Sequence, residues 1–421
     1  MAIADTSLTS VRYVKETTFG VSPSAVAYQE IRLASEDLGQ DKEVVQSDEI
    51  VTDRRPPDNI QVGSSASGDI TTEPIGGQGA AYDDFWLGSI GQASAFSGHA
   101  TTQTFSTGTI TIDNVAGNSD RIQITHSATN WNAGFTAGVY VLVSGFIADA
   151  AGNSLTYLNS TYQVVSGAGG LTLIVTKGPR MPASPAPPRT TPTLTAGTAV
   201  VVSRYGEQVD GTGIQFFTIE RKYSITNSFA RLPGHTVSGF DFEMPTKKPM
   251  RVTWHFMGKE ETDASATLSS TVTAAPTNKS LSPVSDMKSF SLGEDGHSFQ
   301  LTKFSLKLSG GHYSQDEEAG TLGPQGIGLG TFKVTGRIEF YYEAGTIHTF
   351  YQLFQDKSIT WMAGNAAGDG LGFAIPRINF TGGRRGTPGK DQSVKGWVEF
   401  QAAKGTDPLV GSAHLIKVLR R

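Results

Sequence analysis

The chain lacks cysteine and long hydrophobic runs. Because none of its 421 residues is cysteine, disulfides and thiolate metal sites are excluded, and burial and assembly must supply the stability. No apolar stretch reaches the roughly 18 residues that a membrane-spanning helix needs. The N-terminal sequence MAIADTSLTS has neither a basic start nor an apolar core. It does not predict a secretion signal, and we expect synthesis in a cytoplasm.

A basic surface and catalytic signatures are missing as well. The formal net charge is −5, which excludes a strongly basic nucleic-acid footprint. Phosphate-loop, His-Glu-x-x-His and Gly-x-Ser-x-Gly motifs do not occur, and the histidines are dispersed without chelating spacing. Gly326–Gly330 resembles a dinucleotide-binding loop but precedes a strand instead of opening a helix. We therefore predict no catalytic residues, no cofactor and no metal site.

The composition indicates a mainly β protein. Gly accounts for 49 residues and charged residues for only 17 %, which is typical of many turns and short strands. Phe332–Phe340 alternates apolar and polar residues, as a half-buried strand does. Helices are predicted only over 79–90 and 345–356, where aromatic residues recur at spacings of three and four and form one buried stripe.

Two stretches of the chain resemble each other at a separation of 268 residues. Leu33–Ile70 and Leu301–Ile338 align without a gap, and each is followed by one of the predicted helices. Later, Phe217–Arg221 is echoed by Phe373–Arg377, and Arg251–Gly258 and Val394–Ala402 form closing strands. The pattern predicts a duplicated domain, each copy built of strands with one helix. Such a duplication is a way to build a pseudo-symmetric ring from fewer subunits.

The first copy contains an insertion that the second lacks. In the first copy, the stretch between the helix and the next strand runs from about 91 to 214. In the second copy the corresponding stretch is only Ser358 to Leu371. Strand signals in the insertion predict a small β-module with a proline-rich tether. We therefore expect a first fold over 1–100 and 206–262, an inserted module over 101–205, a Thr/Ser-rich linker over 263–285 and a second fold over 286–421.

Two long loops occupy the same place in each copy, Gln40–Ile60 and Ser309–Gly328. Loops of this length are uncommon in compact domains unless they are functional or disordered. They are either solvated loops or arms that reach a neighbouring subunit or ring through charge pairs and strand addition. The candidate contact residues are Asp48, Glu49, Asp53, Arg54, Arg55, Asp316, Glu317 and Glu318.

Several segments, in order along the chain, resemble the tail tube (major tail) proteins of long, non-contractile-tailed bacteriophages. These are Val11–Tyr13, Glu16–Gly20, Glu30–Arg32, Phe217–Tyr223, His255–Lys259, Gly326–Gly330, Ala374–Phe380 and Asp391–Val394. The insertion, with its turn Trp131–Phe135, resembles extra modules of such proteins.

The resemblance implies a β-sandwich or partial barrel with one flanking helix for each copy, in a structural virion protein without enzymatic activity. Sheets of neighbouring domains would join into a lumen-lining barrel, and rings would stack into a tube around a tape-measure protein, with terminator and tail-tip proteins at its ends. DNA would pass through the lumen during ejection, and no membrane contact is implied. With two folds per chain, a homotrimer would give the six-fold arrangement of the family, and a hexamer is the alternative. The module would point outward, and the protein would be found in the virion tail after assembly in the host cytoplasm.

Two other functions remain open on the residues alone. A surface or phage adhesin could stack sugars on Trp131, Tyr140 and Tyr157, although a small-domain core explains these aromatics equally well. A glycoside hydrolase would use paired carboxylates, but the sequence favours no pair.

Overall fold

The computed structural model describes residues 9–49, 58–77, 80–96, 101–116, 118–146, 158–176, 199–223, 228–292, 301–315, 320–341, 355–365, 368–386, 393–407, 409 and 411–421. Within them lie one helix and 29 strands, and the protein is mainly β as its composition predicts.

The strands before the insertion are β1 (Ser10–Glu16), β2 (Ala27–Glu30), β3 (Ser35–Glu36), β4 (Gly39–Gln46) and β5 (Asn59–Thr72), followed by the helix α1 (Ala80–Ser89). The next seven are β6 (Thr102–Phe105), β7 (Ile110–Val115), β8 (Asn118–His126), β9 (Tyr140–Ser144), β10 (Thr161–Ser166), β11 (Thr172–Thr176) and β12 (Val200–Arg204). Then come β13 (Gly206–Val209), β14 (Phe216–Lys222), β15 (Phe229–Pro245), β16 (Arg251–Gly258), β17 (Thr262–Ala264) and β18 (Thr271–Thr273). The later strands are β19 (Met287–Leu292), β20 (Leu301–Ser309), β21 (Tyr313–Ser314), β22 (Ile327–Gly328), β23 (Lys333–Tyr341), β24 (Lys357–Gly364), β25 (Gly370–Gly386), β26 (Lys395–Ala402), β27 (Gly405–Thr406), β28 (Ala413–His414) and β29 (Lys417–Arg420).

One antiparallel sheet, which we call the central sheet, runs through both halves of the chain. Its order is β3 and β4 (successive along one edge), β5, β16, β15, β20, β23, β26 and β25. Buried and more exposed residues alternate along strands such as β16 and β20, because successive side chains of a strand point to opposite faces. The sheet therefore has one apolar and one polar face.

A second layer packs on the apolar face. The strands β15 and β25, each 17 residues long, pass from one layer into the other. In the second layer the first part of β15 pairs with β14, which continues to β1 and β2. The first part of β25 lies between β24 and β29, with β19 and β13 beyond them. The two layers enclose one hydrophobic core, so the main body is a β-sandwich.

The helix predicted over 79–90 is present as α1, and its aromatic residues pack into this core. The ring centroid of Trp86 lies 4.5 Å from that of Trp254, and that of Phe85 lies 5.3 Å from that of Phe256. The helix predicted over 345–356 lies, as far as residue 354, outside the described residues. No helix in the described part of the chain has both the length and the apolar character needed to cross a membrane.

The strands β6 to β12 form a separate antiparallel sheet in the order β6, β12, β9, β10, β11, β8, β7. All seven strands contribute to one hydrophobic cluster, so this sheet curls around its own core. Trp131 belongs to that core and is 1 % exposed, and Tyr140 packs against the main body and is 7 % exposed. Neither ring is available to stack on a sugar, and Tyr157 lies outside the described residues.

The seven-stranded sheet rests on the second layer and not on the polar face of the central sheet. Tyr140 and Leu142 pack against Met362 of β24 and Leu419 of β29. Neighbouring residues of β24, such as Trp361, point into the main core. The seven-stranded sheet and the central sheet therefore lie on opposite sides of the second layer.

The segment predicted as a linker is ordered against the first half. It contains β17 and β18, which pair with β15 and β2. The hydroxyl of Thr267 and the backbone N–H of Leu268 donate to the buried carboxylate of Glu220, at 2.7 and 3.2 Å. Arg12 completes the site with an N–O distance of 2.5 Å. Since a buried carboxylate is costly without partners, these contacts fix the segment on the sandwich.

The two halves pair their strands in corresponding registers. Gly39 lies opposite Ser67, and Lys307, which is 268 residues after Gly39, lies opposite Thr335. The same correspondence holds between β5–β16 and β23–β26, between β14–β15 and β24–β25, and between β15–β16 and β25–β26. Even the bulges agree, since β15 shifts register after Val237 and β25 after Phe380.

Two predictions about the second half were wrong. Ser358–Leu371, predicted as a gap, contains most of β24. Phe373–Arg377 lies in β25, which occupies the position of β15, so it is not the counterpart of Phe217–Arg221 in β14. Adjacent strands of one hairpin share the same apolar alternation, and a string of five residues does not tell them apart.

Candidate assembly surface

The polar face of the central sheet carries charged residues from every strand position of the sheet. Its acidic residues are Asp37, Asp41, Glu43, Asp69, Asp241, Glu243, Glu339 and Glu399, and its basic residues are Arg251, Lys303, Lys307, Lys333, Arg337, Arg384 and Lys395. Eight acidic and seven basic groups make the face close to neutral. It offers no excess of cations to hold phosphate groups.

Ion pairs cross the seam where the first half meets the second. The ammonium nitrogen of Lys307 on β20 lies 3.1 Å from a carboxylate oxygen of Asp241 on β15, and that of Lys303 lies 3.2 Å from Glu243. These pairs are partly exposed, and each stabilises the fold by about 1 kcal/mol or less. Their larger effect is on register, because acidic residues occupy one strand and lysines the other.

His255 on β16 links two carboxylates of this face. Its Nδ1 lies 2.7 Å from Asp69, and its Nε2 lies 3.2 Å from Asp241. The carboxylate of Asp241 raises the pKa of His255, and Asp69 adds to the effect against the opposing influence of burial. Burial alone would raise the pKa of Asp241, but His255 and Lys307 outweigh it and lower that pKa. The cluster is therefore held together most firmly when His255 is protonated.

Arg337 organises the part of the face that the second half contributes. Its guanidinium lies 4.2 Å from the ring centroid of Trp397 and 3.1 Å from Glu339, with Glu399 at 3.9 Å. Stacking on an indole and pairing with carboxylates both satisfy a guanidinium. Arg337 is thus occupied by its own chain and is not a free cation on the surface.

The two edges of the central sheet carry opposite charge. At the β3–β4 edge Asp37 and Asp41 are exposed, and at the β25 edge Arg384 is exposed. In the described residues β4 pairs only with β5, and the part of β25 from Gly382 to Gly386 pairs only with β26. Unpaired strand edges are templates for further strand pairing.

The β4–β5 hairpin extends beyond the sheet and carries apolar side chains that its own chain does not cover. Val44, Val45, Ile60 and Val62 are 52, 50, 52 and 43 % exposed. A cluster of half-exposed β-branched residues on a projecting hairpin is typical of a contact surface. The corresponding segment of the second half folds back instead, as β21 and β22, and the hydroxyl of Ser64 donates to the carbonyl of Leu322 at 2.8 Å.

Of the eight candidate contact residues, the structure describes two. Asp48 and Glu49 are exposed and follow β4 directly, at the far end of the hairpin. Asp53, Arg54, Arg55, Asp316, Glu317 and Glu318 lie outside the described residues. The two segments predicted as long loops contain strand at both ends, namely β4, β5, β21 and β22.

Sequence reasoning missed the edge residues Asp37, Asp41 and Arg384. Their signal is present in the alignment of the two halves, because Asp37 and Asp41 stand where the second half has Ser305 and Ser309. A charge that differs between otherwise equivalent strands indicates that the strands have different neighbours. Among the described residues, no three His, Asp or Glu side chains lie close enough together to hold a metal ion.

Comparison with known proteins gives one finding about the family. The family model described as phage tail tube protein matches residues 6–402. No curated protein matches the chain.

Proposed function

The chain belongs to the phage tail tube protein family, and from this premise we propose that it polymerises into stacked rings which form the conduit for DNA ejection. The family makes it a structural protein of the virion tail. The observation that carries the proposal is the agreement of strand registers between the two halves, bulges included. A chain with two equivalent tube folds presents two equivalent contributions to a ring.

The proposal includes the division of the chain that the sequence predicts. The first fold would comprise 1–100 and 206–262, the second 286–421, and 263–285 would connect them. The inserted module would comprise 101–205, in which the separate sheet of β6 to β12 lies. A common register over four pairs of strands supports descent of both folds from one unit, since register is specified independently at each pair.

A trimer is the ring that this division favours. Each chain contributes eight strand positions to its central sheet, so three chains would close a barrel of 24 strands with six similar lobes. Closure removes every free strand edge. A hexamer of chains, which remains the alternative, would need 48 strands and a correspondingly wider lumen.

The polar face of the central sheet would line the lumen. Three of its seven cations, Lys303, Lys307 and Arg337, are paired with carboxylates of the same chain, and its acidic groups outnumber its basic ones. Little counterion release is therefore available to hold DNA, and the duplex slides. The seven-stranded sheet packs behind the second layer, which would place it on the outside of the tube. The tape-measure protein would occupy the lumen during assembly, and terminator and tail-tip proteins would cover the two ends.

The β4–β5 hairpin, together with Asp48 and Glu49, would be the arm that contacts the next ring, and Asp53, Arg54 and Arg55, which lie between its two strands in the sequence, would take part in the contact. Its exposed apolar residues gain burial there. The loop with Asp316, Glu317 and Glu318 would contribute the equivalent contact from the second fold. Assembly would take place in the host cytoplasm.

Electron microscopy of the purified protein tests polymerisation. Tubes with a regular axial repeat are expected, alone or after addition of tape-measure and tail-tip proteins. Monodisperse single chains under all of these conditions would overturn the proposal.

A further inference from the structure

The seam between the two halves provides a template for the contact between chains. On the basis of the proposed ring, we infer that the free edge of β25 pairs with the β3–β4 edge of a second copy of this chain. The register of this pair would be the same as that between β15 and β20. In that register Arg384 lies opposite Gly39 of the second copy, flanked on the same face by its Asp37 and Asp41.

The register follows from two correspondences within the chain. The bulges place Arg384 of β25 at the position of Asp241 in β15. The shift of 268 residues places Gly39 at the position of Lys307. Asp241 lies opposite Lys307 across the existing seam, so Arg384 and Gly39 occupy the matching positions of the second seam.

The charges of the two seams are reversed. At the existing seam the acidic residues Asp241 and Glu243 are on β15 and the lysines are on β20. At the proposed seam the base, Arg384, is on β25 and the acidic residues are on the β3–β4 edge. Each seam is complementary in itself.

The opposite charges of the two free edges also select against wrong pairings. Were two β25 edges to meet, the Arg384 side chains of both chains would come together, and two β3–β4 edges would bring together Asp37 and Asp41 of both chains. Like charges in directly facing positions disfavour such pairing. Chains are therefore directed to join head to tail in one order, which is the contact that closes into a ring.

The charged groups of the proposed contact are available for a neighbouring chain. Within the described part of the chain, Arg384, Asp37 and Asp41 are exposed and form no ion pair. Asp37 accepts a hydrogen bond from the backbone N–H of Asp69 at 2.6 Å, which orients its side chain at the edge. A Cβ added to Gly39 would meet no atom within 4 Å, so this position has room for a neighbouring side chain.

Disulfide trapping tests the register, because the natural chain contains no cysteine. Gly39→Cys combined with Arg384→Cys is expected to link assembled chains on mild oxidation into covalent dimers and trimers on a denaturing gel, since directly opposed Cβ atoms lie within disulfide reach. Gln40→Cys combined with Arg384→Cys is the matched control. Its two side chains point to opposite faces, and less than about a tenth of the linking is expected.

Charge exchange tests the specificity. Arg384→Glu is expected to raise the protein concentration at half-assembly about tenfold or more, and Asp41→Arg in the same chain should restore most of the loss. Lys333→Glu makes the same charge change on the same face away from the edge, and should alter that concentration less than about twofold.

The outcomes separate this inference from the proposed function. If the unchanged chain forms rings but the 39/384 pair is not linked, or if Arg384→Glu assembles normally, the edge pairing is refuted and the tube function stands. If the unchanged chain forms no rings under any condition, both fall.

Discussion

The exposed apolar residues of the β4–β5 hairpin give the sharpest prediction about assembly. Val45 and Ile60 lie opposite each other, 50 and 52 % exposed, and share one face of the hairpin. Replacing both by threonine keeps a β-branched side chain and hence the strand. What changes is the apolar area that a neighbouring ring would bury.

The magnitude follows from that exposed half of each side chain. Full burial of a valine or isoleucine side chain is worth about 1.5–3 kcal/mol, so burial of half is worth about 1 kcal/mol. The double substitution Val45→Thr with Ile60→Thr should weaken assembly by roughly 2 kcal/mol per chain. The critical concentration for polymerisation should rise about 30-fold.

Pelleting of polymer over a range of protein concentrations measures this quantity. Urea unfolding of the unassembled variant should agree with the unchanged chain within about 0.5 kcal/mol, because the altered groups are exposed before assembly. Val284→Thr, at a residue that is 80 % exposed and outside the hairpin, is the control and should have no effect. A double variant that polymerises at the original critical concentration would refute the role of the hairpin as an arm.

Three further predictions concern stability and passage of DNA. Arg420→Met removes a buried guanidinium that donates hydrogen bonds to Asp83 and to two backbone carbonyls. It should lower the free energy of unfolding in urea by about 3–5 kcal/mol, whereas Arg251→Met, at an exposed residue, should lower it by under about 0.5 kcal/mol. A similar small loss for both variants would contradict the role of the buried hydrogen bonds. His255→Gln should lower the free energy of unfolding, with the whole loss present below pH about 6.5 and disappearing as the pH rises through the raised pKa of His255. Urea unfolding of the variant and the unchanged chain from pH about 5.5 to about 8.5 measures this loss. A loss that grows with pH would contradict the prediction. Asp241→Asn with Glu243→Gln frees two lysines, so assembled tubes should bind duplex DNA more tightly and with a salt dependence steeper by up to about two; unchanged binding would argue against the polar face as lumen.

The sequence alone was sufficient for the features that depend on local patterns. Leu33–Ile70 and Leu301–Ile338 align without a gap, and the structure pairs their residues in matching registers. The closing strand predicted over Arg251–Gly258 is β16 with the same bounds. Because burying one face of a strand requires apolar residues at every second position, such strands can be predicted from the sequence.

Features that depend on distant partners were beyond the sequence. The sequence predicts a gap where the structure has the strand β24. Its consecutive residues Met362 and Ala363 are both buried, so β24 lacks the alternation of a half-buried strand. The composition of 263–285 predicts a linker, but it does not show that Glu220, 47 residues before Thr267, fixes this segment through hydrogen bonds. The sequence does not reveal which strands lie at the edges of the sheet, so Asp37 and Arg384 can be identified as edge residues only from the structure.

The most direct test of the duplicated tube fold is the number of chains per ring. End-on views of polymers by cryo-electron microscopy, combined with the mass per axial repeat, give the number of lobes and the number of chains independently. Three chains and six similar lobes per ring are expected. Six chains per ring would contradict the assignment of two tube folds to one chain, even though the tube itself would remain.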